Sequence, residues 1–385
     1  MKCILFANTD WYLYNFRQSL AVALREQGHE ILLVSPPGPY GEKLLSLGFR
    51  WVSAPMERRS LNPLRELILL GWLWRLMRNE RPDIVHNFTI KCTVYGGVVG
   101  RLVKAGRVNS VTGMGHVFIN NSFKAQFLRS LLRPLMRLAL GGPRGILILQ
   151  NTDDVQLFEK TGLIPFEQVR LVRSSGVDCS RFLPPLDQRA SAREPLRIVL
   201  AARMLWEKGV REFVEAARLL KTEGRQLRFL LAGLPDPGNP ASIPENALLR
   251  WEVEGLVEWL GHVEDMPKLL ANADIVILPS YREGLPKTLI EAAACARPLI
   301  TADVPGCREV VTHGVNGLLV PVRDAVALAR AIAKLQDDPG LMRRLGEAAR
   351  EKALIQFDER VVIAQTIAIY RELEGPPRPV VATAA

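Results

Sequence analysis

Residues 274–291 read Asp274-Ile-Val-Ile-Leu-Pro-Ser-Tyr-Arg-Glu-Gly-Leu-Pro-Lys-Thr-Leu-Ile-Glu291, and they define the architecture of this 385-residue chain. A short apolar run passes into a polar turn with glycine and proline, and a helical pattern follows. Short apolar runs that alternate with helices are typical of buried parallel strands. Because the same unit recurs along both halves of the chain, the sequence predicts an α/β protein with doubly wound parallel sheets.

The recurring unit can be followed residue by residue. Apolar runs predict strands at Lys2–Ala7, Glu30–Ser35, Trp51–Met56, Asp83–Asn87, Val108–Thr112 and Gly145–Gln150 in the first half, and at Leu196–Ala201, Leu227–Ala232, Val257–Leu260, Asp274–Pro279 and Pro298–Thr301 in the second. Amphipathic patterns predict helices at Phe16–Gln27, Leu64–Arg78, Thr93–Lys104, Gly209–Leu220, Ala325–Leu335, Leu341–Ile355 and Arg360–Leu373.

A polar, turn-rich segment, Arg173–Pro185, separates the two halves. We therefore predict an N-terminal domain of residues 1–172, which a helix at about residues 357–374 rejoins, and a C-terminal domain of residues 173–356. Residues 375–385 are predicted to form a mobile tail. Two such domains leave a cleft between them, and open α/β sheets bind ligands outside the carboxyl ends of their strands.

Composition excludes several classes of protein. With 48% apolar and 23% charged residues, the chain is globular rather than disordered or fibrous. Its five cysteines are far apart without a Cys-x-x-Cys pair, which argues against a disulfide framework or zinc site and for a reducing compartment. The apolar run Leu67–Trp74 is far shorter than the roughly 20 residues that a membrane-spanning helix needs. We therefore expect a cytoplasmic protein without a signal peptide.

The positive charge of the chain, +10 in total, lies in its first half. Residues 1–172 contain 22 Lys+Arg against 12 Asp+Glu, whereas residues 173–385 contain 28 of each. Between Ile84 and Thr152 there are nine basic residues and no acidic one. A field of one sign on this scale predicts an anionic partner, namely a nucleic acid, an anionic membrane surface or a phosphorylated substrate.

Two basic amphipathic segments are candidates for membrane contact. In residues 123–140, cations recur among leucines and phenylalanines: Lys124, Arg129, Arg133 and Arg137. We expect these side chains to contact an anionic membrane interface, where basic amphipathic helices lie. The second candidate, Leu64–Arg78, is interpreted as a helix packed on the sheet.

The polar turn of residues 280–286 carries candidate chemistry. The proline that ends it suits the first turn of a helix, where a missing N–H is harmless. The backbone N–H groups of Lys287 and Thr288 would then lie at the positive end of that helix, which is a ready phosphate site. Glu283 is placed to accept hydrogen bonds from sugar hydroxyls, and Glu291, over two turns into the helix, from a ribose diol. The two glutamates alone are also explained by an acidic first turn.

A second motif, Ala201-Ala-Arg-Met-Leu-Trp-Glu-Lys-Gly209, leaves the first strand of the C-terminal half and enters a helix. Arg203 and Lys208 thus follow the carboxyl end of a strand. A planar guanidinium and a compact ammonium there would hold a diphosphate and stabilise the negative charge that develops when the diphosphate leaves. Taken alone, the pair is also explained as two surface cations beside Glu207.

Together the two motifs resemble those of the retaining GT-B glycosyltransferases. Arg203 with Lys208 is followed by the Glu283-Gly-Leu-Pro turn and by Glu291, in the spacing E-x7-E. Further matching segments are Ser174–Asp178, Asp303–Gly306 and Gly314–Val320. Within this family the chain is most similar to bacterial N-acetylhexosaminyltransferases that extend undecaprenyl-diphosphate-linked sugars. The stretches that carry this similarity are Ser60–Pro63, Gly113–Gly115, Leu205–Phe213 and Gly306–Glu309.

The resemblance implies a GT-B fold, with two Rossmann-like domains, an interdomain cleft and a C-terminal helix that returns to the N-terminal domain. It implies a catalytic set of Arg203, Lys208 and Glu283. The donor-binding set is Glu291, Gly284, Leu285, Lys287, Thr288 and His116. To the acceptor side we assign Asn8, Asp10, Arg17, His86, Thr112 and Gly113.

The acceptor side also holds the departures from the family. Many relatives have glycine-rich residues after the first strand, where this chain has Asn8–Arg17. Many have a histidine at the position of Thr112, and bacillosamine-specific relatives have a glutamate there. The resemblance therefore implies an acceptor sugar other than bacillosamine.

The implied reaction moves a sugar from a UDP-sugar to a polyprenyl-diphosphate-linked saccharide at the cytoplasmic face of the plasma membrane. We expect an N-acetylhexosamine, with a plain hexose as the alternative. The configuration would be retained by same-face attack, with the leaving phosphate taking the acceptor's proton. No cofactor or metal is expected, and the sequence contains no Asp-x-Asp motif.

Three alternatives stay open at this point. The acceptor can instead be a soluble or lipopolysaccharide-core sugar. A UDP-N-acetylglucosamine 2-epimerase has a similar two-domain fold and binds UDP similarly, although the E-x7-E pair with Arg203 and Lys208 favours the transferase. A nucleic-acid binder is supported by charge alone.

Overall fold

The structure, a computed structural model, describes residues 1–57, 60, 62–111, 133–185 and 195–373. The chain divides into two compact units. Unit 1 comprises Met1–Ser175 and the chain from Val362 onward, and unit 2 comprises Gly176–Val361. The tail at residues 375–385, which the sequence predicts to be mobile, lies outside the described residues.

Among the described residues of unit 1, seven parallel strands form one sheet in the order β3-β2-β1-β4-β5-β6-β7. The strands are β1 (Lys2–Phe6), β2 (Glu30–Ser35), β3 (Arg50–Ser53), β4 (Ile84–Phe88), β5 (Gly106–Val111), β6 (Gly145–Leu149) and β7 (Val169–Leu171). The described helices are α1 (Asp10–Tyr12), α2 (Gln18–Glu26), α3 (Gly41–Ser46), α4 (Pro63–Glu80), α5 (Ile90–Leu102), α6 (residues 133–140) and α7 (Thr152–Thr161). The strand order reverses between β1 and β4, which opens a crevice at their carboxyl ends.

In unit 2, six described parallel strands form a second sheet in the order β10-β9-β8-β11-β12-β13. They are β8 (Leu196–Ala201), β9 (Leu227–Ala232), β10 (Glu258–Gly261), β11 (Ile275–Leu278), β12 (Leu299–Ala302) and β13 (Gly317–Val320). The helices are α8 (Val210–Thr222), α9 (Glu245–Val253), α10 (Met266–Ala271), α11 (Lys287–Ala294), α12 (Cys307–Val310), α13 (Ala325–Asp337) and α14 (Pro339–Gln356). The order reverses between β8 and β11, so the ligand side lies at the ends of these two strands.

The last described helix, α15 (Glu359–Glu372), returns to the first sheet. Its Tyr370 and Ile367 are buried in the same hydrophobic cluster as Leu5 of β1 and Ile84 of β4. Burial of this amphipathic face ties the end of the chain to unit 1. The predicted fold, two Rossmann-like domains with a returning C-terminal helix, is confirmed.

Some elements differ from the sequence-based expectation. The helix predicted from Phe16 is preceded by a π-helix, Leu13–Arg17, and a regular α-helix begins only at Gln18. Strand β7, which was not predicted, has three partly buried residues at a sheet edge, too few for a periodic signal. The short helices α3, α7, α9 and α10 were likewise not predicted, because short polar helices are fixed by packing rather than by propensity.

No helix in the described part of the chain combines the length and the apolar character needed to cross a bilayer. All five cysteines are buried and free. Burial raises the pKa of the Cys295 thiol to about 12, so it is protonated at neutral pH.

Candidate active site

The loop after β8 lies directly against the end of β11. A short 3-10 turn, Trp206–Lys208, ends at Gly209, whose φ is +74°. A Cβ at Gly209 would overlap the carbonyl group of Pro279. Only glycine combines this left-handed backbone with so close an approach. The position therefore brings Lys208 to the turn that carries Glu283.

Lys208 and Glu283 form an ion pair in this loop cluster. Lys208 Nζ lies 2.6 Å from Glu283 Oε1, and the Ser280 hydroxyl donates to the same oxygen at 2.7 Å. Both side chains of the pair are largely buried. A charge-assisted bond in a partly dry site is stronger than one in water. The pair thus holds an ammonium and a carboxylate at fixed positions at the carboxyl edge of the sheet.

The Glu283 turn is supported from the loop after β12. Gly306 has a φ of +79°, and a Cβ there would lie 2.7 Å from the Glu283 carbonyl oxygen and also against Gly284. The glycine in the Asp303–Gly306 motif is therefore required by packing against the turn. Leu285, one residue farther on, packs against the hydrophobic cluster of unit 2.

Arg203 also follows β8 but has a different partner. Its Nη1 donates to Asp236 Oδ2 at 2.6 Å, and its side chain is 53% exposed. Asp236 lies in the loop after β9, between prolines and glycines, where no sequence signal marks it. An exposed ion pair contributes little free energy, so the Arg203 guanidinium can exchange this carboxylate for another anion.

Helix α11 begins at Lys287, directly after the Glu283 turn, and Thr288 follows in its first turn. The positive end of the helix dipole therefore faces the loop cluster. Glu291 lies one turn into the helix, not more than two as expected from the sequence, because the helix starts only after Pro286. Its Oε1 is 3.9 Å from Lys287 Nζ. Burial raises the pKa of Glu291 to about 7, against the opposing charges of Lys287 and Arg181.

In unit 1, Asp10 anchors two loops through backbone hydrogen bonds. It is buried, its Oδ2 accepts from the backbone N–H groups of Tyr40 at 2.6 Å and Gly41 at 3.0 Å, and its Oδ1 accepts from Trp11 at 2.8 Å. These bonds hold the loop after β2 against the end of β1. The assignment of Asp10 to the acceptor side stays a prediction. Its neighbour Asn8 is partly exposed at the end of β1.

His86 is also part of the core. It is 1% exposed, with Nδ1 2.6 Å from the Tyr370 hydroxyl and Nε2 2.6 Å from the Ser110 hydroxyl. Burial, with a smaller effect of Arg17, holds the pKa of His86 well below its usual value, so the ring is neutral. Both ring nitrogens contact side chains of the core, and the assignment of His86 to the acceptor side stays a prediction.

Arg17 has a different environment from Asp10 and His86. It ends the π-helix and is buried, with its guanidinium 4.4 Å from the centre of the Phe88 ring. Nη2 donates to the Tyr12 hydroxyl at 2.9 Å, and the buried Nε has no partner. Arg17 forms no ion pair with any carboxylate of the described residues. Within the part of the chain that the structure describes, it is therefore a cation without a carboxylate partner at the carboxyl edge of the first sheet.

Several predicted residues lie outside the described residues, namely Thr112, Gly113, His116, Lys124 and Arg129. Of the predicted membrane contacts, Arg133 and Arg137 are described. Both are exposed, and they donate to the carbonyl oxygens of Thr161 and Gly162. The structure therefore brings together Lys208, Glu283 and the start of α11. Arg203, which is close to Lys208 in the sequence, pairs with Asp236 instead.

The two sheets have the architecture of the GT-B class, and comparisons with known proteins identify the chain as a glycosyltransferase. Residues 195–338 match the family model "Glycosyl transferases group 1", and residues 15–175 match "Glycosyl transferase 4-like domain". Together the two models cover most of the chain, which belongs to the group 1 glycosyltransferases with the GT-B fold.

Relatives of known sequence and structure cover almost the whole chain. It is 28% identical over 369 residues to N,N'-diacetylbacillosaminyl-diphospho-undecaprenol alpha-1,3-N-acetylgalactosaminyltransferase of Campylobacter jejuni, covering 93% of this chain and 95% of that one. Anabaena Alr3699/HepE, solved in complex with UDP, superposes with a TM-score of 0.79 at 19% identity over 97% of this chain and 100% of its own. A Rickettsia africae glycosyltransferase gives a TM-score of 0.77 at 20% identity, covering 97% and 98%. The two structures support the fold.

Proposed function

We propose that this enzyme is a retaining, metal-independent glycosyltransferase that moves an N-acetylhexosamine from a UDP-sugar to a polyprenyl-diphosphate-linked saccharide in glycan biosynthesis. The observation that carries the proposal is the Lys208–Glu283 pair at the start of α11, 2.6 Å apart at the carboxyl edge of the sheet. It provides a cation for a diphosphate beside a carboxylate for sugar hydroxyls. The similarity to an undecaprenol-linked N-acetylgalactosaminyltransferase supports the choice of substrates.

Each donor-site residue has a role in the proposed reaction. Lys208 and Arg203 bind the donor diphosphate and stabilise the charge that develops as UDP leaves. The positive end of α11, at Lys287 and Thr288, adds to this field. Glu283 accepts hydrogen bonds from the transferred sugar, and Glu291 accepts them from the ribose.

The proposed chemical step needs no nucleophile from the protein. The acceptor hydroxyl attacks the anomeric carbon from the face that the phosphate leaves, so the new glycosidic bond has the configuration of the old one. The departing phosphate oxygen takes the hydroxyl proton, and UDP is released. Arg17, a buried cation that pairs with no carboxylate among the described residues, is assigned to the acceptor's negative charge.

A ligand-stabilisation scan tests the donor. We expect UDP and one UDP-N-acetylhexosamine to raise the melting temperature in the presence of EDTA, whereas GDP and ADP do not, since a ligand that binds only the folded state stabilises it. If no nucleotide raises the melting temperature, the proposed donor site is wrong. A shift that EDTA abolishes would contradict metal independence.

A transfer assay then separates the acceptors and the alternatives. We expect sugar transfer to a polyprenyl-diphosphate-linked N-acetylsugar, with retained configuration in the product's proton spectrum. Transfer only to a soluble or lipopolysaccharide-core sugar would overturn the acceptor proposed here. Conversion of one UDP-sugar into another without any acceptor would identify an epimerase instead.

A further inference from the structure

Helix α4 has two apolar faces, only one of which is covered. Leu69, Leu73 and Met77 are almost completely buried in a cluster with the core of the first sheet. On the other side, Leu64 is 71% exposed, and Leu67 and Ile68 are each 63% exposed. Residues three and four apart share one side of a helix. The expectation that this helix is packed on the sheet therefore describes only one of its faces.

The exposed apolar stripe leads into a groove at the end of α4. Trp74, Arg78, Arg81 and Leu102 of α5 line a cavity of about 410 Å³. The Arg78 guanidinium lies 4.9 Å from the centre of the Trp74 ring, and Leu102 is 66% exposed. An aliphatic floor with an indole and two guanidinium groups suits a ligand with an apolar part and an anionic part.

Beside the C-terminal half of the stripe the exposed charges are positive, whereas at its N-terminal end the exposed Glu57 and Arg65 form an ion pair. Arg75, Arg78 and Arg81 are exposed. The acidic residues of α4 are engaged elsewhere. Glu66 binds Lys91 at 2.8 Å, and Glu80 binds Lys2 at 2.6 Å. The stripe is therefore complementary to a negatively charged partner.

The same surface continues across α5 to α6. The Arg101 side chain of α5 donates to the Leu138 carbonyl oxygen of α6 at 3.3 Å. Leu138 itself is 43% exposed, and Arg137 beside it is exposed. The exposed ends of three neighbouring helices thus present leucines between cations. An exposed apolar patch with a polar rim marks an interaction site.

We propose that this helical face docks on an anionic phospholipid bilayer, with Leu64, Leu67, Ile68 and Leu102 entering the acyl boundary and the arginines at the phosphates. Indole and guanidinium side chains are suited to the headgroup level, and long basic side chains extend from apolar surfaces toward charge. Exposed leucine and isoleucine do not stack on bases, which argues against a nucleic acid as the partner. The inference extends the proposed function, because docking would bring unit 1 to a lipid-linked acceptor.

Vesicle co-sedimentation of the full chain tests the surface. We expect binding to phosphatidylcholine vesicles that contain phosphatidylglycerol and little binding to phosphatidylcholine alone. The double variant Arg75→Gln/Arg78→Gln should weaken binding at least tenfold, because each basic residue near an anionic membrane contributes about fivefold. We expect a loss of at least tenfold for Leu67→Gln/Ile68→Gln as well, because this variant removes apolar area that enters the acyl boundary. These side chains are exposed, so folding should be preserved.

Matched controls come from unit 2. Val253 is 89% exposed and Ile355 is 62% exposed, and Arg343 and Arg344 are exposed on α14. We expect Val253→Gln/Ile355→Gln and Arg343→Gln/Arg344→Gln to bind vesicles like the wild type. Equal binding by the α4 variants and the wild type, or indifference of the wild type to anionic vesicles, would overturn the inference.

The nucleotide-induced rise in melting temperature separates this inference from the proposed function. Every α4 variant should retain the UDP shift, because none of the changed residues lies in the donor site. If the wild type sediments with vesicles but shows no UDP shift, the function fails and the docking surface stands. If UDP stabilises a protein that ignores vesicles, the docking surface fails alone.

Discussion

Lys208 Nζ and Glu283 Oε1 lie 2.6 Å apart, although 75 residues separate them in the chain. The contact depends on two loops that leave the neighbouring strands β8 and β11. Each side chain holds the other at the place where the helix dipole of α11 is positive. The two loops thus fix the positions of both charges, which is a condition for the proposed electrostatic stabilisation of a leaving group.

Substitution of either partner should remove most of the transfer activity. We expect Lys208→Met or Glu283→Gln to lower kcat/KM on the order of 10²–10³-fold. The double variant should lose less than the product of the single losses, because the two side chains act as a unit. Steady-state UDP release with acceptor measures the effect, and circular dichroism checks the fold.

A pair of similar geometry provides the control. Arg225 Nη1 lies 2.7 Å from Asp337 Oδ1 on the exposed surface of unit 2. Asp337→Asn should leave transfer unchanged. Activity like that of the wild type in both Lys208→Met and Glu283→Gln would remove this pair from the proposed site.

Gly209 should tolerate no side chain. Gly209→Ala adds left-handed strain, which costs about 1–2 kcal/mol, and overlap with Pro279, which costs about 1–3 kcal/mol more. Gly224 has a φ of +76° but nothing within 4 Å of a Cβ, so Gly224→Ala reports the backbone strain alone. Urea unfolding of both variants measures the difference. Equal destabilisation would show that the loop moves away from β11 without cost.

The stability of the protein should depend on the ionisation of Glu291. Burial raises the pKa of its carboxyl to about 7 in the folded chain, above the ordinary value of 4.5. The folded state therefore binds the proton more tightly, and stability falls as pH rises from 4.5 through 7 and is then constant. The shift corresponds to about 3 kcal/mol. The free energy of unfolding of the wild type minus that of Glu291→Gln, measured from pH 5 to 8, should show this decline. A difference that does not change with pH would contradict the prediction.

The His86–Tyr370 bond should stabilise unit 1 without acting in donor binding. Tyr370→Phe leaves a buried ring nitrogen without its partner and should lower the free energy of unfolding by about 1–3 kcal/mol. The UDP-induced shift should be unchanged. Tyr40→Phe is the control, since the Tyr40 hydroxyl bonds to no other described residue. Loss of the UDP shift in folded Tyr370→Phe would point to a role in donor binding beyond the core.

Sequence periodicity was sufficient for the architecture, because apolar runs, turn residues and amphipathic patterns act within a few residues of one another. It also placed Lys208, Glu283 and Lys287 after strands or at a helix start, where parallel sheets bind ligands. The first residue of α11 could not be predicted from the sequence, because a proline is compatible with either side of a helix boundary.

Only the tertiary structure determined the partners of these side chains. His86 and Tyr370 are 284 residues apart. Asp10 accepts hydrogen bonds from backbone N–H groups 30 and 31 residues away, and no sequence pattern marks either contact. Which face of α4 is covered was likewise decided by packing. Such contacts follow from the order of strands in a sheet and from the return of the last helix, and no local pattern of residues encodes either.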